Sequence, residues 1–193
     1  MIKVMTVFGT RPEAIKMAPV VLELQKHADR IQTIVAVTAQ HLRCSTRYWI
    51  SSRLHRTMTW ISCPRGRRCT HYDQVPHGPK RCPGQEKPDL VLVHGDTTTT
   101  FAGALASYYQ QVPVGHVEAG LRTGDIYSPF PEEMNRKLTG AIAAIHFAPT
   151  ATAKANLLKE NVNPSHIYVT GNTVIDALMM TVAGDYDFGD DLK

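Results

Sequence analysis

Leu90-Val91-Leu92-Val93-His94-Gly95-Asp96-Thr97-Thr98-Thr99-Thr100 decides the fold, and Pro113-Val114-Gly115-His116-Val117-Glu118-Ala119-Gly120-Leu121-Arg122 extends its reading. A short apolar run with β-branched residues stops at Gly95 and gives way to a polar turn and an Ala-containing segment. That order reads as buried strand, turn and helix. The second stretch reads as the next strand, with Glu118 at its carboxyl end. Ligands of open parallel sheets bind in the crevice outside the carboxyl ends of the strands. Asp96 and Glu118 fall at two such ends, which places two carboxylates where acid–base chemistry on a ligand is feasible.

Working outward, the chain keeps alternating. Residues 1–9, rich in Val and Ile, read as a first buried strand ending at Phe8-Gly9. Thr10 suits a helix cap, and Pro12 and Glu13 suit the first turn after it. Pro19 is expected to break a long helix, which predicts a short turn and then a helix over about Pro19 to His27 with Val20, Val21, Leu22 and Leu24 on its apolar side. Ile31–Val37 is a second strand, running into Thr38-Ala39-Gln40-His41. After the central stretch come a helix over about Thr98–Tyr109 and a helix opened by Pro131 and Glu132-Glu133 that ends near Ala144. A short strand at His146–Pro149 follows, then a helix at Ala151–Glu160 capped by Thr150, and a strand at Ile167–Thr170. Strands alternating with helices predict an α/β fold with a Rossmann-like parallel sheet flanked by helices. Residues 1–173 read as one N-terminal domain of this kind, and residues 174–193 as a linker or the start of a further domain.

With 193 residues, 43% of them hydrophobic, and no long charge-free apolar run, the composition fits a soluble globular protein and excludes a membrane partner. The N-terminus turns apolar too early for a signal peptide, so the expected compartment is the cytoplasm. The net charge of +4 is local: residues 42–85 hold nine Lys/Arg and one acid, leaving twelve basic against sixteen acidic residues elsewhere. Nucleic-acid binding is therefore not indicated. Cys44, Cys63, Cys69 and Cys82 also lie in that segment, with no CxxC spacing, and even with His55, His71 and His77 nearby no metal site is expected. The hydrophobic period vanishes between Leu42 and Gln85, and a structureless insert of that length is unexpected in a compact domain, so the sequence leaves the fold of this segment open. Codons can be chosen for Leu42–Cys69 that read, one frame over, as a peptide beginning E-M-L-D-Q-V-L-D-I-F, an amphipathic helix. We therefore read residues 42–85 as the product of compensating frameshifts. The DNA sequence tests this, and codons that forbid the shifted reading refute it.

Several motifs stand in fixed order: Val7-Phe8-Gly9-Thr10-Arg11-Pro12-Glu13-Ala14-Ile15-Lys16, His94-Gly95-Asp96-Thr97, His116-Val117-Glu118-Ala119-Gly120-Leu121-Arg122-Thr123-Gly124, Ser128-Pro129-Phe130-Pro131-Glu132-Glu133-Met134-Asn135-Arg136 and Thr170-Gly171-Asn172-Thr173. Together they resemble the non-hydrolysing bacterial UDP-N-acetylglucosamine 2-epimerases over residues 2–41 and 86–182. The resemblance implies the N-terminal half of a GT-B-type two-domain fold with the nucleotide sugar in the cleft between halves. It implies interconversion of UDP-N-acetylglucosamine and UDP-N-acetylmannosamine by loss of the C2 proton and of UDP, through 2-acetamidoglucal, with UDP then adding back. No cofactor is needed, and the family's full-length chains form homodimers. That family's chains are about twice as long, and their second half carries a catalytic histidine and most of the uridine contacts. The expectation for this chain alone is weak UDP-sugar binding with little or no turnover. A chain that only binds, or a GT-B glycosyltransferase, are the alternatives.

The same resemblance implies roles. Asp96, Glu118 and Glu132 form the acid–base set, Arg11, Lys16 and Arg136 contact substrate, and Gln40 and His41 belong to a second, allosteric substrate site. Residue chemistry alone gives competing roles for some of these. Asp96 suits a helix N-cap, and Glu132 suits a helix first turn through the dipole. Arg11 with Lys16 suits a solvated surface pair, and Arg136 a solvated helix face. A Glu placed straight after a buried strand is harder to explain by packing, which favours function for Glu118.

Overall fold

The computed structural model describes residues 1–38, 58–61 and 87–182. In chain order the elements are β1 (Ile2–Phe8), α1 (Arg11–Lys26), β2 (Ile31–Thr38), β3 (Met58–Ile61), β4 (Leu90–His94), α2 (Thr98–Tyr109), β5 (Val114–Val117), α3 (Glu132–Ile142), β6 (Ile145–Ala148), α4 (Ala151–Lys159), β7 (Ile167–Val169) and α5 (Thr173–Thr181). The strands form one seven-stranded parallel sheet in the order β3-β2-β1-β4-β5-β6-β7.

The sheet is buried on both faces because each strand alternates apolar side chains between them. Val4 and Phe8 of β1 meet Met17 and Val21 of α1 on one face. Met5 and Val7 meet Ala104 of α2 on the other. A smaller cluster of Ala119, Ala148, Ala153, Leu157 and Ile167 fixes α4 at the β6–β7 end. Helix α5 packs back against α1, while Ile175, Leu178 and Met179 on its outer side are exposed.

One expectation is corrected and one open segment gains an element. First, α1 does not break at Pro19 but runs through it from Arg11 to Lys26. A proline inside a helix loses one backbone hydrogen bond and costs about 3 kcal/mol. Here Met17, Pro19 and Val21 are buried against the sheet, and each fully buried apolar side chain contributes about 1.5–3 kcal/mol, so packing outweighs the lost bond. Second, the segment read as patternless contains β3, which pairs with β2 from Val35↔Met58 to Thr38↔Ile61. Met58-Thr59-Trp60-Ile61 is a short run of strand-favouring residues, and the free edge of β2 supplies its pairing partner. The remaining residues between 39 and 86 lie outside the described residues, and so do Gln40, His41, the four cysteines and the expected frameshift boundaries.

The strand order places the site. From β1 the chain winds one way, to β2 and β3. From β4 it winds the other way, to β5, β6 and β7. The turns after β1 and β4 therefore part company at the topological switch point, where the crevice of such a sheet opens. Gly95 turns the chain off β4 with φ +72. Gly120, at φ +87, lets the loop after β5 touch α4, since a Cβ there would sit 2.3 Å from the Ala153 carbonyl oxygen.

Candidate active site

Three clusters line the carboxyl edge of the sheet. The first is a knot at the switch point, built on Glu13. Thr10 caps α1 by accepting from the Glu13 amide at 3.4 Å, and the Glu13 carboxylate accepts in return from the Thr10 amide at 2.7 Å. This is a reciprocal capping box. The same carboxylate also accepts from the Gly9 amide at 2.8 Å and, across the switch point, from the hydroxyls of Thr97 at 2.5 Å and Thr100 at 3.2 Å. Glu13 is 3% exposed. A helix N-terminus ordinarily offers its amides to an anion. Here the chain's own carboxylate takes the Gly9 and Thr10 amides that lead into α1.

The second cluster is a clasp around Glu118, which directly follows β5. Lys16 reaches across from α1 and donates to both carboxylate oxygens, at 2.7 and 2.9 Å, and Asn172, after β7, donates its amide to Oε1 at 3.0 Å. Burial alone would raise the carboxyl's pKa. The hydrogen-bonded Lys16 ammonium, with the Asn172 amide, outweighs burial and holds it below the usual carboxylate value. The backbone of Glu118 lies at φ +64, a conformation that costs a side-chain-bearing residue about 1–2 kcal/mol.

The third cluster links the turn after β4 to α3. Arg136 donates to Asp96 Oδ2 at 2.5 Å and to Glu133 Oε2 at 3.3 Å, and the Asn135 amide donates to the Asp96 carbonyl at 2.9 Å. Glu133 is fully buried and accepts from the Thr123 and Gly124 amides, each at 3.2 Å. Burial opposes its charge, but these amides and Arg136 prevail and depress its pKa. Arg122 in turn forms a two-pronged ion pair with Glu160, at 2.7 and 2.8 Å, which ties the loop after β5 to the end of α4.

Three histidines stand buried on adjacent strands: His94 at the end of β4, His116 within β5 and His146 beside it on β6. The His116 Nε2–H donates to the Gly95 carbonyl at 2.7 Å, and its Nδ1 has no partner among the described residues. Burial lowers the pKa of all three, that of His116 to about 3. They are neutral at physiological pH.

The structure brings Lys16 and Glu118 into contact, and separately Asp96 and Arg136. Thr97, not Asp96, caps α2, accepting from the Thr100 amide at 3.2 Å, so the cap reading of Asp96 gives way. Glu132 opens α3, is half-buried, and makes no hydrogen bond or ion pair among the described residues. Its neighbour Glu133 fills the structural role. Arg11 heads α1 and is exposed. Sequence reasoning passed over Glu133 and Asn172 and gave Glu13 only a place in the first helical turn. Glu13 did carry a signal, because Thr10-x-x-Glu13 is the capping-box pattern.

The doubly wound parallel sheet is Rossmann-like, and its solved neighbours make it one half of a GT-B-type fold. The chain belongs to the UDP-N-acetylglucosamine 2-epimerase family, whose model matches residues 22–188. It is 55% identical to the UDP-N-acetylglucosamine 2-epimerase of Bacillus subtilis, over 96% of this chain and 49% of that protein. The crystal structure of UDP-GlcNAc 2-epimerase from Neisseria meningitidis bound to UDP-GlcNAc superposes with a TM-score of 0.85 at 50% identity, covering 93% of this chain and 49% of that one. The Methanocaldococcus jannaschii enzyme in complex with UDP-GlcNAc and UDP superposes with a TM-score of 0.78 at 36% identity, over 93% and 49%. The chain spans about half the length of the relatives it matches.

Proposed function

We propose that the chain acts on UDP-N-acetylglucosamine, interconverting it with UDP-N-acetylmannosamine. The observation that carries this reading is the Glu118 clasp: a carboxylate kept ionised at a strand end, in a costly backbone conformation, and held mainly by a long flexible cation. The ligands bound in the Neisseria and Methanocaldococcus structures support the same substrate.

The reaction needs a base for the C2 proton, an acid that returns a proton to the opposite face, and cations for the leaving diphosphate. Asp96, Glu118 and Glu132 supply the first two. Lys16 and Arg11 supply the third, with Lys16 turning from Glu118 to the diphosphate and so unmasking the carboxylate. Arg136 holds Asp96 in place. The bond from C1 to the UDP oxygen breaks as C2 loses its proton, giving 2-acetamidoglucal. Return of UDP to C1 with protonation of C2 from the other face gives the manno epimer.

The test is to incubate the chain with UDP-N-acetylglucosamine in D2O and follow C2 by NMR. Slow deuterium incorporation at C2, with a small amount of the manno epimer, is the expected result for this chain alone. UDP binding without exchange would reduce the function to binding, and no binding at all would overturn the proposal.

A further inference from the structure

His94 ends β4 at 2% exposure, and neither of its ring nitrogens is hydrogen-bonded among the described residues. Its Nε2 lies 3.5 Å from Oε2 of Glu118, just beyond ordinary hydrogen-bond distance. The charged groups facing it are Glu118 after β5, Lys16 and Glu13 from α1, and Asp96 from the turn after β4. Of these, Glu13 is saturated by four donors, Asp96 is held by Arg136, and Lys16 is itself a donor. Glu118 is the acceptor that remains. Its Oε1 has two donors, Lys16 and Asn172, whereas Oε2 has Lys16 alone, at 2.9 Å. Under the function proposed above, Lys16 leaves for a diphosphate and Oε2 is stripped.

We propose that His94 is the positioning residue of Glu118: its Nε2–H closes onto Oε2 when the Lys16 ammonium departs, so that the carboxylate keeps its charge and its aim. A shift of about 0.5 Å completes the bond. A neutral histidine suits the task. It replaces a donor without bringing a second cation to the diphosphate, and burial holds this imidazole neutral against the pull of Glu118.

The test uses the full chain and requires neither turnover nor ligand. Lys16→Met withdraws the ammonium directly. In that background His94→Gln sets an amide donor near the place of Nε2, and His94→Leu fills the volume without a donor. The readouts are the pH titration of the Glu118 side-chain carboxyl by 13C NMR, the 15N shift of His94 Nε2, and a thermal melt to confirm folding. Expected in Lys16→Met is a protonated Nε2 with Glu118 still titrating near its parental value. Adding His94→Leu raises that titration by about one pH unit, and His94→Gln brings it back. If His94→Leu does not fold, His94→Asn, whose amide falls near Nδ1, replaces it with the same expectation. Identical Glu118 titrations across the series, or an unprotonated Nε2, overturn the proposal. Titrating UDP into the parent chain separates the two readings. If UDP leaves both signals unmoved, the substrate assignment fails while the Lys16→Met series still decides the role of His94.

Discussion

Two glutamates stand at the carboxyl edge of one sheet and are held in opposite ways. Glu13 is locked by donors that cannot leave: two backbone amides and two threonine hydroxyls drawn from both sides of the switch point. Glu118 is held by the tip of a lysine side chain that is 26% exposed, and by one amide. The first arrangement fixes two turns together. The second keeps a charge ready and can be released. The source of a carboxylate's donors, more than its burial, separates a structural acid from a working one.

That contrast can be broken in four ways, from the largest effect to the smallest. Glu118→Gln should lower C2 exchange about 1000-fold, within the range for loss of an acid–base group, with the fold intact by circular dichroism. Undiminished exchange would make Glu118 merely another strand-end anchor. Glu13→Ala orphans the Gly9 and Thr10 amides and the Thr97 hydroxyl, whereas Thr100 keeps the His94 carbonyl, and each unsatisfied buried group costs about 1–3 kcal/mol. A loss near 3 kcal/mol in urea unfolding is expected, since water relieves part of the cost, and a loss under about 1 kcal/mol would refute the knot.

The third test is pH. The folded pKa of His116 is about 3, and the unfolded one is about 6.5. Between these values the unfolded chain binds a proton that the folded chain refuses, so stability falls as pH drops, by up to about 1.4 kcal/mol per pH unit for each such group. The pKa values of Glu118 and Glu133 are depressed. Their contributions are present above the ordinary carboxylate range and vanish as pH falls through the folded values. His116→Gln should lessen the slope of the upper interval, where His94 and His146 also contribute, and Glu118→Gln should act only in the lower one, as read by denaturant unfolding at several pH values. The smallest effect is the stability cost of Glu118→Gln itself, under about 1 kcal/mol, because an ion pair with a partly exposed lysine contributes little. A larger loss would mean that the clasp, like the knot, holds the fold.

The strands and the helices after β4 were readable because buried parallel strands are continuous apolar runs, and α2, α4 and α5 carry caps at Thr97, Thr150 and Asn172 while α3 opens on Pro131 and two acids. Glu118 stood out for the same reason, as a charge abutting such a run. What was not readable depended on neighbours distant in sequence. Pro19 obeys a local rule that burial against the sheet overrides. Glu132 and Glu133 look alike to the helix dipole, and only packing sends Glu133 inward to the Thr123 and Gly124 amides. The reach of Glu13 to Thr97 and Thr100 exists only because β1 and β4 are adjacent, just as His94 meets Glu118 because β4 lies beside β5. The short strand at Met58–Ile61 is hidden by surroundings that share none of its pattern.

The left-handed backbone at Glu118 has a consequence for anyone trying to toughen this protein. A glycine there, at φ +64, would relax the chain, and Lys16 is exposed enough to find water in place of its lost partner. Glu118→Gly is thus a substitution that a screen for heat resistance would welcome and a screen for activity would discard. Robustness and usefulness diverge at this one position, and selection for hardiness alone would return a sturdier, idle protein.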